Sequence, residues 1–306
     1  EYHLLKFMIH HWTLQQMRLF EAVARHRSFT QAAEELHLTQ PAVSIQIKRL
    51  GESIGIPLIE QVGKKLFLTR AGEEVYATFG EVVGRLKGLA GTLADMKGQV
   101  AGPLYIGAVS SAKFFLPHIL GRFLRAYPEV KPMLKVTNRE RVIKRLIANE
   151  DDLVVMGQVP RDLSLNVHPF LENVLVPIAH PDHPLAQERQ IPLERFAAER
   201  FLMREPGSGT RLTTERLLAE HGIKANVYME LGSSEAIKQA VMAGLGVSVQ
   251  STSSMSLELE IGRLVALDVE KFPCRGMWHA VCLQGKHLNL TATTFLEFLV
   301  SGRQMG

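Results

Sequence analysis

Ser28-Phe29-Thr30-Gln31-Ala32-Ala33-Glu34-Glu35-Leu36-His37-Leu38-Thr39-Gln40-Pro41-Ala42-Val43-Ser44-Ile45-Gln46-Ile47 reads as two short helices joined by a tight turn. Thr30 is placed to cap the first, whose buried face is Ala32, Ala33 and Leu36. The two alanines matter because small side chains let a second helix cross closely. Thr39 opens that second helix, and Pro41 sits in its first turn, where a missing N–H costs nothing. Val43, Ile47, Leu50 and Ile54 recur at spacings of four, three and four and form its core stripe. At roughly 100° per residue the opposite face carries Pro41, Ser44, Ile45, Lys48, Arg49 and Glu52. A solvated face rarely centres on a β-branched Ile. Ser44, Lys48 and Arg49 suit phosphates and base edges, and Ile45 suits a thymine methyl, so this helix is built to enter a DNA groove.

Working outward, Leu14, Met17, Phe20 and Val23 predict an amphipathic helix packed beneath the pair. After Gly55, residues 58–69 alternate enough for a small β-wing with Lys64 and Lys65 at its tip. The candidate DNA-contacting set is therefore Gln31, Thr39, Gln40, Pro41, Ser44, Ile45, Lys48, Arg49, Lys64 and Lys65. From residue 72 onward, Val75, Phe79, Val82, Leu86, Leu89, Leu93 and Met96 alternate spacings of four and three. That is a coiled-coil seam, which needs a partner helix, so self-association to a dimer is expected. Gly98 to Pro103 reads as a hinge.

Beyond the hinge, strands are expected at 104–109, 133–136, 153–156, 175–179, 201–203, 227–231, 247–249, 264–267 and 278–283. Helices are expected near 115–127, 139–149, 211–221, 234–244 and 291–302. Such alternation predicts α/β lobes with parallel-rich sheets. Three strand-to-helix junctions carry Ser, Thr and Gly: Ser110-Ser111, Ser208-Gly209-Thr210 and Gly232-Ser233-Ser234. Free N–H groups and the positive helix end make each a potential anion cradle. With Lys113, Asn138, Arg139, Arg204 and Arg211 beside them, they form the candidate effector-binding set.

Composition bounds the alternatives. A chain of 306 residues suggests two or three domains. The net charge is only +4, yet residues 11–70 hold eight Lys/Arg against five Asp/Glu, which favours an anionic partner for that part. No apolar run approaches the roughly 20 residues that span a bilayer, and no secretory signal is read, so a cytoplasmic protein with no membrane partner is expected. Cys274 and Cys282 form neither a metal spacing nor a disulfide framework. Ser110-x-x-Lys113 lacks the companion motifs of acyl-enzyme hydrolases. Leu212 stands where a dinucleotide fingerprint needs its third Gly. His180-Pro181-Asp182-His183 reads as a proline-rich loop. No enzyme, metal or bound cofactor is expected.

Residues 13–70 resemble the winged helix-turn-helix of LysR-type transcriptional regulators. The likeness is carried by Leu14-Gln15-Gln16-Met17-Arg18-Leu19-Phe20, Ala32-Ala33, Thr39-Gln40-Pro41-Ala42-Val43-Ser44, Gly55, Leu58 and Leu68-Thr69-Arg70-Ala71-Gly72. Gly51, Ile59 and Gln61 depart from it, standing where an acidic residue, Phe and Arg are common. Within the family the chain is most similar to regulators of Calvin-cycle (carbon dioxide fixation) operons, through Asn138-Arg139-Glu140-Arg141, 204–211 and 231–235.

The resemblance implies a winged helix-turn-helix at 8–70, a linker (dimerisation) helix at 71–97 and a two-lobed periplasmic-binding-protein-like effector domain at 98–306. Lobe I would comprise 101–170 plus 271–306, and lobe II 171–270. It also implies operator DNA as partner, a dimer or tetramer, and a coinducer that is a phosphorylated metabolite or NADPH. A regulator of another metabolic operon stays open. So does a solute-binding protein, although that reading leaves residues 13–96 unexplained.

Overall fold

The computed structural model describes residues 12–63, 65–95 and 98–302. Lys64, Met96 and the side chain of Leu93 lie outside the described residues. The chain forms two compact units, one holding residues 1–90 with 148–150, the other 91–147 with 151–306.

In the first unit, α1 (Leu14–His26), α2 (Phe29–Glu35) and α3 (Gln40–Ile54) precede a hairpin of β1 (Ile59–Val62) and β2 (Lys65–Leu68). Thr13 and Gln16 close a reciprocal capping box on α1. The second helix starts two residues earlier than expected. Ser28, not Thr30, is its cap, accepting from the Gln31 N–H, which moves Thr30 inside the helix. Thr39 is the N-cap of α3 by backbone conformation but makes no side-chain cap bond. Leu19, Phe20, Val23, Ala32, Ala33, Val43, Ile47 and Leu50 bury together as one core, with Leu36 and Ile54 packed at its edge. The wing pairs antiparallel, Ile59 with Leu68 through Val62 with Lys65.

The long helix α4 (Arg70–Asp95) departs from the expected seam in its first half. Phe79 is fully buried, edge-on to Phe20 at 6.0 Å and to Trp12 at 5.7 Å. That position therefore belongs to the helix's own domain, because the aromatic core beneath offers more apolar surface than a distant partner could. Leu86 and Leu89 remain exposed, at 44% and 51%.

The second unit is built on a seven-stranded sheet. Its elements are β3 (Gly102–Val109), α5 (Leu116–Ala126), β4 (Val130–Thr137), α6 (Arg139–Ile147), β5 (Leu153–Met156) and β6 (Leu165–Ala179). They continue as α7 (Leu193–Ala198), β7 (Phe201–Arg204), α8 (Gly209–Glu220), β8 (Val227–Leu231), α9 (Ser234–Met242), β9 (Ser248–Ser251), α10 (Ser256–Glu260), β10 (Val265–Ala266), β11 (Cys274–Leu283) and α11 (Leu290–Val300). The strand order is β10-β6-β11-β5-β3-β4, with β9 also on β6. β3 runs parallel to β4 and β5, and β7 runs parallel to β8 in a separate pair.

Three expectations are corrected. β3 begins at Gly102, so Gly102 and Pro103 belong to the sheet and not to a hinge. β6 starts ten residues before the expected strand, because residues 165–175 pair with β11 along the whole length of that strand. The short helices α7 and α10 went unread.

Two lobes share β6 and β11. One core gathers Leu104, Ile106, Leu116, Phe123, Val155, Trp278 and Phe295. The other lobe packs both faces of its strands: Leu175, Ala179, Phe201 and Met203 face one cluster, while Ile178 and Leu202 face the other with Ile237 and Val241. The alternation along β6 and β7 is the period-two pattern of a sheet covered on both sides.

Two predictions follow from the first unit. Gly72 sits where a Cβ would lie 2.0 Å from the Leu58 carbonyl oxygen, at the joint where Thr69 donates to Pro57 and caps the Gly72 N–H. Gly72→Ala should overpack that joint and lower stability by about 1–3 kcal/mol, read as a lower urea midpoint.

Arg25 clamps Glu35 through two hydrogen bonds of 2.6 and 2.9 Å, with His26 on the same carboxylate. The Arg25 bonds outweigh partial burial and hold the Glu35 carboxyl down at about 2. A depressed carboxylate stabilises the fold above its unfolded value of about 4.3, and the gain is lost as pH falls toward 2. Since Glu35 is 39% exposed, solvent screening limits the effect to about 1 kcal/mol. Glu35→Gln should cost that much at pH 7 and flatten the acid limb of a stability–pH curve.

Candidate functional site

The first site is the outward face of α3. Gln40, Pro41, Ile45, Lys48 and Arg49 are exposed there, Ser44 is half-buried, and Ile45 is 52% exposed. The stripe Val43, Ile47 and Leu50 is buried on the other side, so the core itself aims the polar face outward. Gln31 and Thr39 are exposed at the start of α2 and just before α3. Lys48 reaches Glu52 only at 3.9 Å, with both side chains largely in solvent, and so keeps its charge available. A groove between α3 and the wing is lined by Ser44, Lys48, Glu52 and Gln61. Lys65 is exposed at the first position of β2, and Gly63 makes the turn with φ +62°. The arrangement offers a protruding helix and a hairpin with cationic, hydroxyl and apolar groups suited to a duplex groove.

The second site is a cleft in the larger unit, a cavity of about 30 Å³. That is room for two or three waters, at about 10–15 Å³ each. Of the expected residues it brings together Ser110, Ser111, Arg139, Arg204, Ser208, Gly209 and Thr210. Arg204, at the end of β7, is 4% exposed. Its Nε and Nη2 donate to Glu205 at 2.7 and 2.9 Å, Nη1 to Ser234 Oγ at 2.7 Å and Nη2 to Ser110 Oγ at 3.3 Å. Arg139 opens α6 and donates from Nε to the Gln158 carbonyl at 3.1 Å. Burial pulls its guanidinium below the ordinary arginine value, against the attraction of Asp162.

The three junctions are not equivalent. Ser208 is the N-cap of α8 but accepts no cap bond, so the first N–H groups of that helix stay open toward the cleft. Gly209 packs close here, since a Cβ would lie 3.3 Å from the Gln158 side chain, which would have to give by a few tenths of an ångström. By contrast, Ser233 accepts from Ala236 and closes α9, and Asn138 accepts from Arg141 and closes α6. Neither lines the cleft. Ser234 enters only through Arg204.

Arg211 is also placed elsewhere, pairing with Glu215 at 2.7 Å and Glu230 at 2.6 Å and donating to the Arg204 carbonyl. Partial burial works against its charge, but those two carboxylates win and push it above the ordinary arginine value. Lys113 lies over the Phe114 ring at 4.9 Å, with Lys238 on the same ring at 4.7 Å. These two expectations placed cations in the cleft that the fold spends on other contacts.

Sequence reasoning missed Gln158, Asn173, Glu205, Thr213, Ser251 and Trp278, which also line the cleft. Gln158 donates to Thr213 at 2.9 Å and Ser251 to Asn173 at 2.8 Å. Only Glu205 carried a usable signal, as an acid adjacent to Arg204 in sequence. Among the described residues no His, Cys, Asp and Glu group could hold a metal ion, and no helix is long and apolar enough to cross a membrane.

Comparison with known proteins matches both parts of the chain. Residues 14–73 fit the bacterial regulatory helix-turn-helix protein model of the lysR family, and residues 97–304 fit the LysR substrate binding domain. The RuBisCO operon transcriptional regulator of Acidithiobacillus ferrooxidans is 43% identical over 298 residues, spanning 97% of this chain and 96% of that protein. The HTH-type transcriptional activator CmpR of Synechocystis is 45% identical over 287 residues, 94% of each. The solved regulatory domain of Synechocystis CcmR in complex with 2-PG is 42% identical, with a TM-score of 0.63, and covers 65% of this chain and 96% of that one.

Proposed function

Because the chain belongs to the LysR family of transcriptional regulators, we propose that it controls carbon dioxide fixation genes in response to a small phosphorylated acid bound in the cleft. It is a regulator and not an enzyme. The carrying observation is the cleft itself: two arginines, Arg139 and Arg204, face the uncapped start of α8. Helix N–H groups and guanidinium forks together are the recognition chemistry of phosphate. The CcmR regulatory domain solved with 2-PG (2-phosphoglycolate) supports that chemistry, and the RuBisCO operon regulators among the relatives support the choice of genes.

On this reading α3 enters the major groove of operator DNA, and Lys65 contacts the backbone. The exposed Leu86 and Leu89 meet a second subunit in a dimer, which can pair into a tetramer. We assign residues 8–70 to DNA binding, 71–97 to the linker and 98–306 to effector response, in a cytoplasmic protein.

Ser44→Ala and Lys48→Ala should each weaken specific operator binding by about 1–3 kcal/mol with unchanged melting. Lys65→Ala should lower affinity for all sequences alike and reduce the salt slope by about 0.9. Gel shifts over a salt series read both, and full specific affinity in the two α3 variants would remove that helix from the interface.

For the effector, calorimetry with 2-phosphoglycolate should show Arg204→Ala losing binding at least hundredfold, about 2.7 kcal/mol. Arg211→Ala, paired outside the cleft lining, should stay within about threefold of the parent, about 0.7 kcal/mol. Equal losses in both would move the site.

A further inference from the structure

The effector reading leaves one cleft residue unexplained. Glu205 is the one carboxylate among the residues lining a cleft read as an anion site. We propose that Glu205 is a built-in competitor for the effector: its carboxylate occupies the edge of Arg204 that a dianionic phosphate ester needs, and it must swing away before that ligand seats. The inference rests on the reading of this cleft as the effector site.

A guanidinium has five N–H groups. Four of those on Arg204 are committed: two to Glu205, one to Ser234 and one to Ser110. Bidentate recognition of phosphate needs two parallel N–H groups on one edge. Glu205 holds the Nε–Nη2 edge with both of its oxygens. The Nη1–Nη2 edge is already divided between two serines, Ser110 at the end of β3 and Ser234 at the start of α9. No full edge is open until Glu205 leaves.

Space gives the same answer. The cavity of about 30 Å³ beside Arg204 has room for two or three waters, so a phosphate ester seated on that guanidinium needs a lining side chain to give way. Glu205 is the piece that can move. Its N–H is anchored to the Leu231 carbonyl at 3.1 Å, so the backbone stays fixed. The side chain is 22% exposed, and Arg204 is its hydrogen-bond partner. Rotation about its side-chain bonds delivers the carboxylate to water without moving the chain.

Charge then sets specificity. The lining carries Arg139, Arg204 and Glu205, a balance of +1. A monoanion that displaces Glu205 merely exchanges one carboxylate for another. With Glu205 swung out the balance is +2, which a doubly charged phosphate group neutralises. Glu205 would thus both delay the response and reject ordinary carboxylates, much as a partly populated competent state lowers apparent affinity by its fraction. The Arg211 pairs provide the contrast: Glu215 and Glu230 hold that arginine outside the cleft lining, where no ligand is asked to replace them.

The test is calorimetry on the full chain with inorganic phosphate and with 2-phosphoglycolate, comparing the parent, Glu205→Gln, Glu205→Asp and Glu188→Gln. Glu188 pairs with Arg195 outside the cleft, so its variant controls for the loss of one negative charge. Glu205→Gln should bind both anions tenfold tighter or more. Glu205→Asp keeps the charge but loses the reach and should also tighten binding, which covers the case in which the Gln variant folds poorly. Glu188→Gln should match the parent.

Affinities in both Glu205 variants within twofold of the parent, or weaker, would overturn the proposal. So would equal tightening in Glu188→Gln. If the Glu205 variants tighten on phosphate while 2-phosphoglycolate binds no better than phosphate itself, the competitor stands and the effector reading falls.

Discussion

Ten paired residues between β6 and β11, from Leu175 opposite Cys274 to Leu165 opposite Leu283, hold the larger unit together. Both lobes hang on this one antiparallel ladder, so the cleft exists only while its register holds. The ladder breaks once, between Trp278 and His279, where the partner strand steps from Leu171 to Pro169. A bulge bends a strand and strengthens its local twist. It falls beside Trp278, which lines the cleft, so the irregularity lies where the two lobes need to diverge. Along β6, Leu165, Phe170 and Leu171 pack with one lobe, and the residues from Leu175 onward with the other.

A buried guanidinium imposes the second constraint. Leaving Arg204 unpaired inside the unit would cost several kcal/mol, so partners are recruited from wherever the fold can bring them. They are the adjacent Glu205, the start of α9 through Ser234 and the end of β3 through Ser110. The same residue is thereby a structural pin between lobes and, on the proposed reading, part of the effector site. A ligand that competes for those donors changes what holds the lobes together. That gives a physical route from binding to a change in conformation without any added device.

The smaller unit works by subtraction. Ala32 and Ala33 are buried because nothing larger would let α3 cross α2 closely. The burial of Val43, Ile47 and Leu50 then leaves Gln40, Ile45, Lys48 and Arg49 with no role in the core. Phe79 extends that core into α4. The linker helix is thus anchored at its root before its exposed leucines can meet anything else.

Local patterns were enough to read the helix-turn-helix, the wing, the long helix and most of the α/β alternation. Period, capping residues and small-residue positions act over a few residues and are written in the chain order. The exposure of the candidate DNA-contacting face was legible for the same reason, since α3 supplies most of it and the wing adds Lys65. The cleft was legible only in part. Ser110, Arg139, Arg204 and Ser208–Thr210 were found because strand-to-helix junctions advertise free N–H groups. Gln158, Asn173, Thr213 and Ser251 went unread because their roles arise from strands and helices distant in sequence. Sequence also could not tell an open helix start from a closed one. Ser208 and Ser233 are the same residue type in the same context, yet only Ser233 accepts a cap bond. Nor could it tell that Arg211 would be claimed by Glu230 from a neighbouring strand. Which cations face a cleft is decided by which carboxylates reach them first, and that competition takes place only in the folded chain.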